Sequence, residues 1–117
     1  MIRHNNEKGT VAVSTSVYTD IAGTAASNCF GVRGMAARSV TDGLYHLLRK
    51  DAAGKGVKVQ FHEDNSISID LHIMVDYGVN LNAVGASIIS EVRYVVQSHT
   101  GTEVRSVNVY IDSMMID

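Results

Sequence analysis

The stretch Ser66–Val84, SISIDLHIMVDYGVNLNAV, decides the fold. From Ile67 to Tyr77 every odd position is apolar, and the even positions Ser68, Asp70, His72 and Asp76 are polar. Strict alternation is the mark of a strand with one buried face, because successive side chains point to opposite sides of a pleated backbone. The alternation stops at Gly78. Asn80 is then a natural helix N-cap. Leu81, Val84, Ile88, Val92, Val95 and Val96 recur at spacings of three and four, as on one face of a long helix, and Gly101 is placed to end it. The chain therefore leaves a sheet and folds back over its apolar face.

Upstream, Val57, Val59 and Phe61 alternate with Lys58, Gln60 and His62, and Glu63-Asp64-Asn65 separates this run from Ser66. Two alternating runs joined by three turn residues predict a β-hairpin. Pairing His62 with Ser66 sets Phe61 opposite Ile67, Val59 opposite Ile69 and Val57 opposite Leu71. Lys58 then lies across from Asp70 on the other face. A slip of one residue would separate the two apolar sets, so the pattern specifies the register. Asn65 tolerates the left-handed backbone such a loop requires.

The other segments follow from local signals. Residues 1 to 8 are polar and are expected as a mobile tail before a single domain over residues 9–117. Thr10–Ser14 alternates as a first strand. Ser14, Thr15 and Ser16 offer caps for a helix whose stripe is Val17, Ile21, Ala25 and Cys29. Its small residues Ala22, Gly23 and Ala26 allow close packing. Gly31–Ser39 is a turn or short strand. Thr41 caps an expected short helix with Leu44, Leu47 and Leu48 on its apolar side, and Ala52–Gly56 is a turn by composition. Val104–Asp112 is the last strand, with Val107, Val109 and Ile111 inward. The expected fold class is α+β: an antiparallel-rich sheet of about four strands with two or three helices on one face. The order is strand–helix–turn or short strand–helix–strand–strand–helix–strand.

Composition excludes several functions. The 117 residues carry a net charge of −2 and are 45% hydrophobic, a globular balance without a bulk basic surface for nucleic acid or anionic lipid. The pI is about 6.2. The single cysteine, Cys29, precludes an internal disulfide and fits a reducing compartment. The N-terminus lacks a secretory apolar region, and no run of about 18 apolar residues spans a membrane. A cytoplasmic protein is expected, peripheral at the membrane only through a partner or a surface contact.

Candidate chemistry is sparse. His62 and His72 share the open face, but the hairpin register separates them by about 20 Å, too far for one metal ion. Asp70 and His72 are same-face neighbours that read as a solvated strand face, since proton-transfer residues occupy clefts with shifted pKa values. His46 and His99 read as helix residues in packing or capping roles, and His4 lies in the tail. Cys29 reads as a buried structural thiol without a nucleophile's signature. No phosphate-binding loop, dinucleotide fingerprint or G-x-S-x-G elbow is present, and no cofactor is expected. Gly31-Val32-Arg33-Gly34 is a G-x-x-G between expected helices, the arrangement by which KH domains clamp a nucleic-acid backbone. Gly31, Arg33, Gly34 and Arg38 are the contacts of that alternative, which the weak bulk charge disfavours. On the outer sheet face, Met74 and Tyr110 place an apolar and an amphipathic side chain where water is expected. With His72 they form a candidate interaction face.

Three segments carry a family resemblance: GTVAVSTSVYTDIAGTAASNCFGVRGM (Gly9–Met35), GVKVQFHEDNSISIDLHIMVDYGVNLNAV (Gly56–Val84) and TGTEVRSVNVYID (Thr100–Asp112). Together they resemble the alkaline shock protein family of Gram-positive bacteria, a general-stress and envelope-stress group, over residues 9 to 112. Asn82-Ala83 stands where a proline-containing helix start is common. The resemblance implies a non-enzymatic cytoplasmic protein with no catalytic residue to carry over. It also implies protein partners, either a small membrane-anchor protein or an enzyme of lipid metabolism, together with self-association.

Overall fold

A computed structural model describes residues 1–38 and 43–116. Its centre is β6 (Ile67–Asp76), whose two edges are both occupied. β5 (Val57–Phe61) pairs antiparallel with the first half of β6: Phe61 opposite Ile67, Val59 opposite Ile69, Val57 opposite Leu71 and Lys58 opposite Asp70. This is the register expected from the alternation. The Ser66 carbonyl accepts the His62 N–H at 2.9 Å, and Asn65 adopts φ +66° in the connecting loop. β3 (Val32–Arg38) pairs antiparallel with the second half of β6, Met35 opposite Ile73, with a bulge between Val32 and Gly34. β4 (Tyr45–Leu47) extends the sheet beyond β3.

The remaining edge of β6 is taken by β7 (Val104–Met115), which runs parallel to it from Ile67 to Asp76. A parallel neighbour requires a crossover, and α2 (Leu81–Thr100) supplies it. Asn80 caps α2, its Oδ1 accepting the Ala83 N–H at 3.0 Å, and Gly101 ends it in the left-handed region at φ +70°. The buried stripe of α2 is Val84, Ile88, Val92 and Val96, as the spacing predicts, whereas Leu81 is exposed. The five-stranded sheet is thus antiparallel-rich with one parallel pair, covered by helices on one face.

α1 (Thr15–Ser27) starts after Ser14 as expected, but its buried face is centred to one side of the Val17–Cys29 stripe, of which Ala25 is buried and Ile21 and Cys29 are partly buried against the core. Tyr18, Ala22, Ala25 and Ala26 face the core, while Val17 is exposed. Two contacts explain the rotation. The Tyr18 ring packs edge-on to Phe61, with centroids 5.9 Å apart, and its hydroxyl lies 2.7 Å from the Thr102 hydroxyl. Gly23 meets the 3-10 helix Lys50–Gly56 so closely that a Cβ would stand 2.8 Å from the Ala53 backbone. Close packing thus selects the small side of the helix rather than its most apolar side.

Three sequence expectations are corrected. The polar residues 1–8 contain β1 (Ile2–Asn6), paired with β2 (Gly9–Val13) in a separate hairpin, and Ile2 is buried in the core. The His4 imidazole Nε2 lies 3.3 Å from the Thr102 hydroxyl, tying this hairpin to the α2–β7 connection. Second, the helix expected from Thr41 is absent in its described portion: Tyr45–Leu47 is a strand, and Thr41 and Asp42 lie outside the described residues. Leucines at 44, 47 and 48 satisfy a helical period, but pairing with β3 takes the backbone hydrogen bonds instead. Third, the composition-based turn before Val57 lies within the 3-10 helix.

Candidate interaction surface

The outer face of β6 and β7 is built from their register. Ser68 faces Ser106, Asp70 faces Asn108 and His72 faces Tyr110. The Ser106 hydroxyl donates to the Ser68 Oγ at 3.1 Å, and the Asn108 Nδ2 donates to Asp70 Oδ1 at 2.9 Å. His72 and Tyr110 stack, with ring centroids 4.9 Å apart and planes 16° from parallel. A bulge between Ile73 and Met74 swings Asp112 toward His72, where its Oδ2 lies 3.0 Å from Nδ1. The Asp112 side chain is only 8% exposed, and His72 shields it. Asp70 and His72 thus share the outer face as expected, each with a different partner on β7. Asp70 bonds Asn108, and the carboxylate on His72 comes from the adjacent strand.

Met74 does not belong to this wet surface. It is 5% exposed, although it sits at an even position of β6. Its partner across the bulge is Gly34, and a Cβ on Gly34 would stand 2.9 Å from Leu47 Cδ1. The β3–β4 arm thus places Leu47 on that face at the end of the sheet, where Ala36 is also fully buried. Tyr110, at 47% exposed, and His72 remain available on the outer face.

The alternative nucleic-acid loop also changes. Gly31 occupies a turn at φ +83°, but Val32, Arg33 and Gly34 are already inside β3. No helix follows them directly, so the G-x-x-G is not an exposed clamp between helices. The Arg33 Nε donates to Asp76 Oδ1 at 2.7 Å across the strands. The backbone of Arg38 ends β3, and its side chain lies outside the described residues.

β7 presents a second feature. Its far edge pairs with no strand among the described residues. Beside it, Leu81, Gly85, Ala86 and Ile89 of α2 and Val107, Val109 and Ile111 of β7 line a groove of about 530 Å³. Arg105, near the start of the strand, donates from its guanidinium to Asp64 Oδ2 at 2.9 Å. The Ser66 hydroxyl and N–H, followed by Arg105, hold the Asp64 carboxyl down to about 2. A larger groove of about 620 Å³ separates α1 from α2, with Ile21, Ala25, Cys29, Glu91 and Val95 among its walls. The expected buried Cys29 is half-buried there, its thiol donating to the Ala25 carbonyl at 3.4 Å. Burial raises the thiol pKa, and the nearby Glu91 charge raises it further, so this cysteine is a poor nucleophile. Among the described residues, no group of three or more His, Cys, Asp or Glu side chains is arranged to hold a metal ion. No described helix is long and apolar enough to cross a membrane.

The profile of the alkaline shock protein 23 family, described as having a cell envelope-related function, matches residues 3–116. The chain belongs to this family. Its relatives include the uncharacterized protein YloU of Bacillus subtilis, 36% identical over 109 residues, covering 92% of this chain and 90% of YloU. The uncharacterized protein Spy1614 of Streptococcus pyogenes is 33% identical over 116 residues, covering 98% of this chain and 95% of that one. A solved structure, the copper form of the MamM CTD, superposes with a TM-score of 0.52 at 17% identity, covering 87% of this chain and 88% of that one. At that identity the likeness concerns the fold. The family description names a cell-envelope role and no reaction.

For an alkaline shock family protein, the surface residues that sequence reasoning missed are Asp112 and the free edge of β7. Asp112 shares even parity with Asn108 and Tyr110, so its side was legible. Its approach to His72 depends on a bulge that alternation does not encode. The edge depends on which strand β7 joins and in which direction, and an isolated alternating run carries neither fact.

Proposed function

We propose that this alkaline shock family protein is a non-enzymatic interaction module of the cell envelope, working by contact through β7 and the outer face beside it. The observation that carries the reading is the 12-residue β7, which among the described residues pairs on one side only and presents the His72–Tyr110 stack next to its open edge. An open edge offers unpaired backbone donors and acceptors to an extended partner segment, and neighbouring side chains provide selectivity. Tyr110 is the principal contact, because an aromatic ring with a polar tip contributes large area at little entropic cost. His72 supports its ring from behind, and Met74 contributes only by shaping the sheet beneath. The partner class is protein: a membrane-anchor protein that brings the module to the inner face of the membrane, or a lipid-metabolism enzyme that it regulates.

The test is a crosslinked pull-down of tagged protein from a host of the family, with membranes solubilised, comparing wild type with Tyr110→Ala. A small integral membrane protein recovered by wild type and lost in the variant supports the anchored module. A soluble lipid-synthesis enzyme with the same dependence points to the regulatory role. Equal recovery by both proteins removes the β7 surface from the reading. The second reading, nucleic-acid binding at Gly31–Gly34, now lacks the exposed loop it required.

A further inference from the structure

We propose that the groove between α1 and α2 is a second binding site, and that its occupant is an amphipathic helix of a partner protein whose aliphatic stripe is flanked by lysine or arginine. The site lies in the helix layer, on the flank of α2 that faces away from β7, and it stands whether or not the β7 edge is used.

The spacing of Val17, Ile21, Ala25 and Cys29 makes an apolar row along α1. The core takes the neighbouring small side instead, through Tyr18, Ala22 and Ala26. Val17 is left exposed and Ile21 and Cys29 half-buried, and Ile21, Ala25 and Cys29 form the apolar wall of the groove of about 620 Å³. Among the described residues, nothing packs over the outward side of this row.

The facing wall is a row of α2, with Ser87, Glu91, Val95 and His99 at every fourth residue. The two helices run antiparallel. Tyr18, near the start of α1, bonds Thr102 just past the end of α2, and Cys29, past the end of α1, lies by Glu91 in the middle of α2. From Ser87 to His99 the wall spans about three turns, roughly 18 Å. Both walls repeat at the interval at which a third helix presents its own i, i+4 side chains. An extended segment would instead lay unpaired N–H and C=O groups on an apolar floor that offers no strand edge, whereas a helix satisfies its backbone internally. Asp20, Thr24, Ser87, Glu91 and His99 are exposed, so the groove is open along its length. A small molecule lying there would stay largely wet, and small-molecule sites bury most of their ligand.

Charge sets the chemistry of the occupant's flanks. Glu91 stands in the middle of one wall and Asp20 toward one end of the other, and neither carboxylate forms an ion pair among the described residues. Among those residues no lysine or arginine lines the groove, and Lys50 belongs to a separate recess. The His99 Nδ1 donates to the Val95 carbonyl at 2.8 Å. Acidic walls over an apolar floor complement basic side chains beside an aliphatic stripe and repel an acidic helix. Neither long helix of this chain supplies such a segment. α1 has no basic residue, and the arginine of α2, Arg93, donates to the Arg105 carbonyl. The chemistry therefore selects a foreign helix over a second copy.

The test uses the full chain. The probe is a displayed library of helices of about 14 residues, with leucine fixed at i, i+4 and i+7 and the flanking positions randomised. Selected binders are expected to carry lysine or arginine at the flanks. Synthesised as peptides, they are expected to shift the backbone amide signals of Ile21, Ala25, Glu91 and Val95. Asp20→Lys with Glu91→Lys is expected to weaken peptide binding about tenfold or more, and added salt should weaken binding to the wild type more than to this variant. Circular dichroism checks that the variant is folded. Should it fail to fold, Ser87→Trp decides: this exposed wall position fills the groove from the solvent side, and binding is expected to be lost. Tyr110→Ala is expected to bind the peptide as wild type does. A library that returns no binder, binders without basic flanks, or amide shifts confined to other surfaces overturn the proposal. Peptide binding lost in Tyr110→Ala but kept in the groove variants also overturns it and moves the helix to β7. A wild-type dimer that Glu91→Lys dissociates overturns it in favour of a second copy. The β7 reading is judged separately, by the Tyr110→Ala pull-down.

Discussion

The two ends of β6 obey different rules. From Ile67 to Leu71 burial alternates residue by residue: Ile67, Ile69 and Leu71 are fully buried, and Ser68 and Asp70 are half-exposed. From Ile73 to Val75 three consecutive residues are buried. At the first end only the helix side is covered, and β5 and β7 keep regular register except at Arg105. At the second end both flanking strands bulge, and the β3–β4 arm covers the face that is wet elsewhere. One strand can thus be half of a two-layer sandwich at one end and a filling between layers at the other. Its own sequence marks the change only by Met74, the single apolar residue in the even series.

The sharpest way to break this comparison is Met74→Asp. Asp70, at the same parity, is a carboxylate that the first end accommodates with an Asn108 hydrogen bond. At the second end an unpaired buried carboxylate is expected to cost about 4 kcal/mol or more, read as loss of the cooperative urea transition. A variant that melts like wild type would mean that the outer face is open along its whole length. Ile69→Ala comes next, with an expected loss of about 2–4 kcal/mol in the same titration, since Ile69 is fully buried in the core. Gly34→Ala tests the covering arm. The added methyl meets the flexible end of Leu47, so a cost of about 1 kcal/mol is expected. Leu47→Ala should relieve most of it in a double-mutant cycle. Additive effects would place Leu47 elsewhere.

The smallest effect concerns the hairpin loop at the first end. The folded Asp64 pKa lies at about 2, below the ordinary carboxylate value. The stabilisation linked to it is therefore present above about pH 4 and is lost as pH falls toward 2. Asp64→Asn should flatten this part of the acid-unfolding curve while leaving neutral-pH spectra unchanged. Because the carboxylate is solvent-exposed, the difference is expected as a small shift of the acid midpoint.

Legibility followed the range of the interactions. The β5–β6 register, the Asn65 turn, the Asn80 cap and the Gly101 terminator are all decided within a few residues of chain, and each could be read from the pattern. The stripe of α1 was read in part: Ala25 is buried and Ile21 and Cys29 pack partly against the core, but Val17 is exposed and the face is centred on Tyr18, Ala22 and Ala26. Hydropathy ranks Val17 and Ile21 above Ala22 and Gly23, but the close approach of Ala53 and the Tyr18–Thr102 hydrogen bond favour the small side. The strand at Tyr45–Leu47 was misread as helix because its leucine spacing suits both forms and only β3 distinguishes them. In the candidate surface, Tyr110 and His72 were placed correctly by parity. Met74 was placed on the right side of the sheet but not under its cover, and Asp112 was not joined to His72.

By itself, the sequence determined the α+β class, the hairpin with its sides, the long helix over the sheet and the family. These depend on periodicity and on turn and cap residues, which act locally and leave a periodic trace. Only the tertiary structure decided that β7 runs parallel to β6 with its far edge unpaired among the described residues, that β3 and β5 divide the other edge, and that Met74 is covered. Backbone pairing is chemically the same for every strand. The choice of partner and direction is made by how the whole apolar set can be buried at once, and that sum appears in no single stretch of chain.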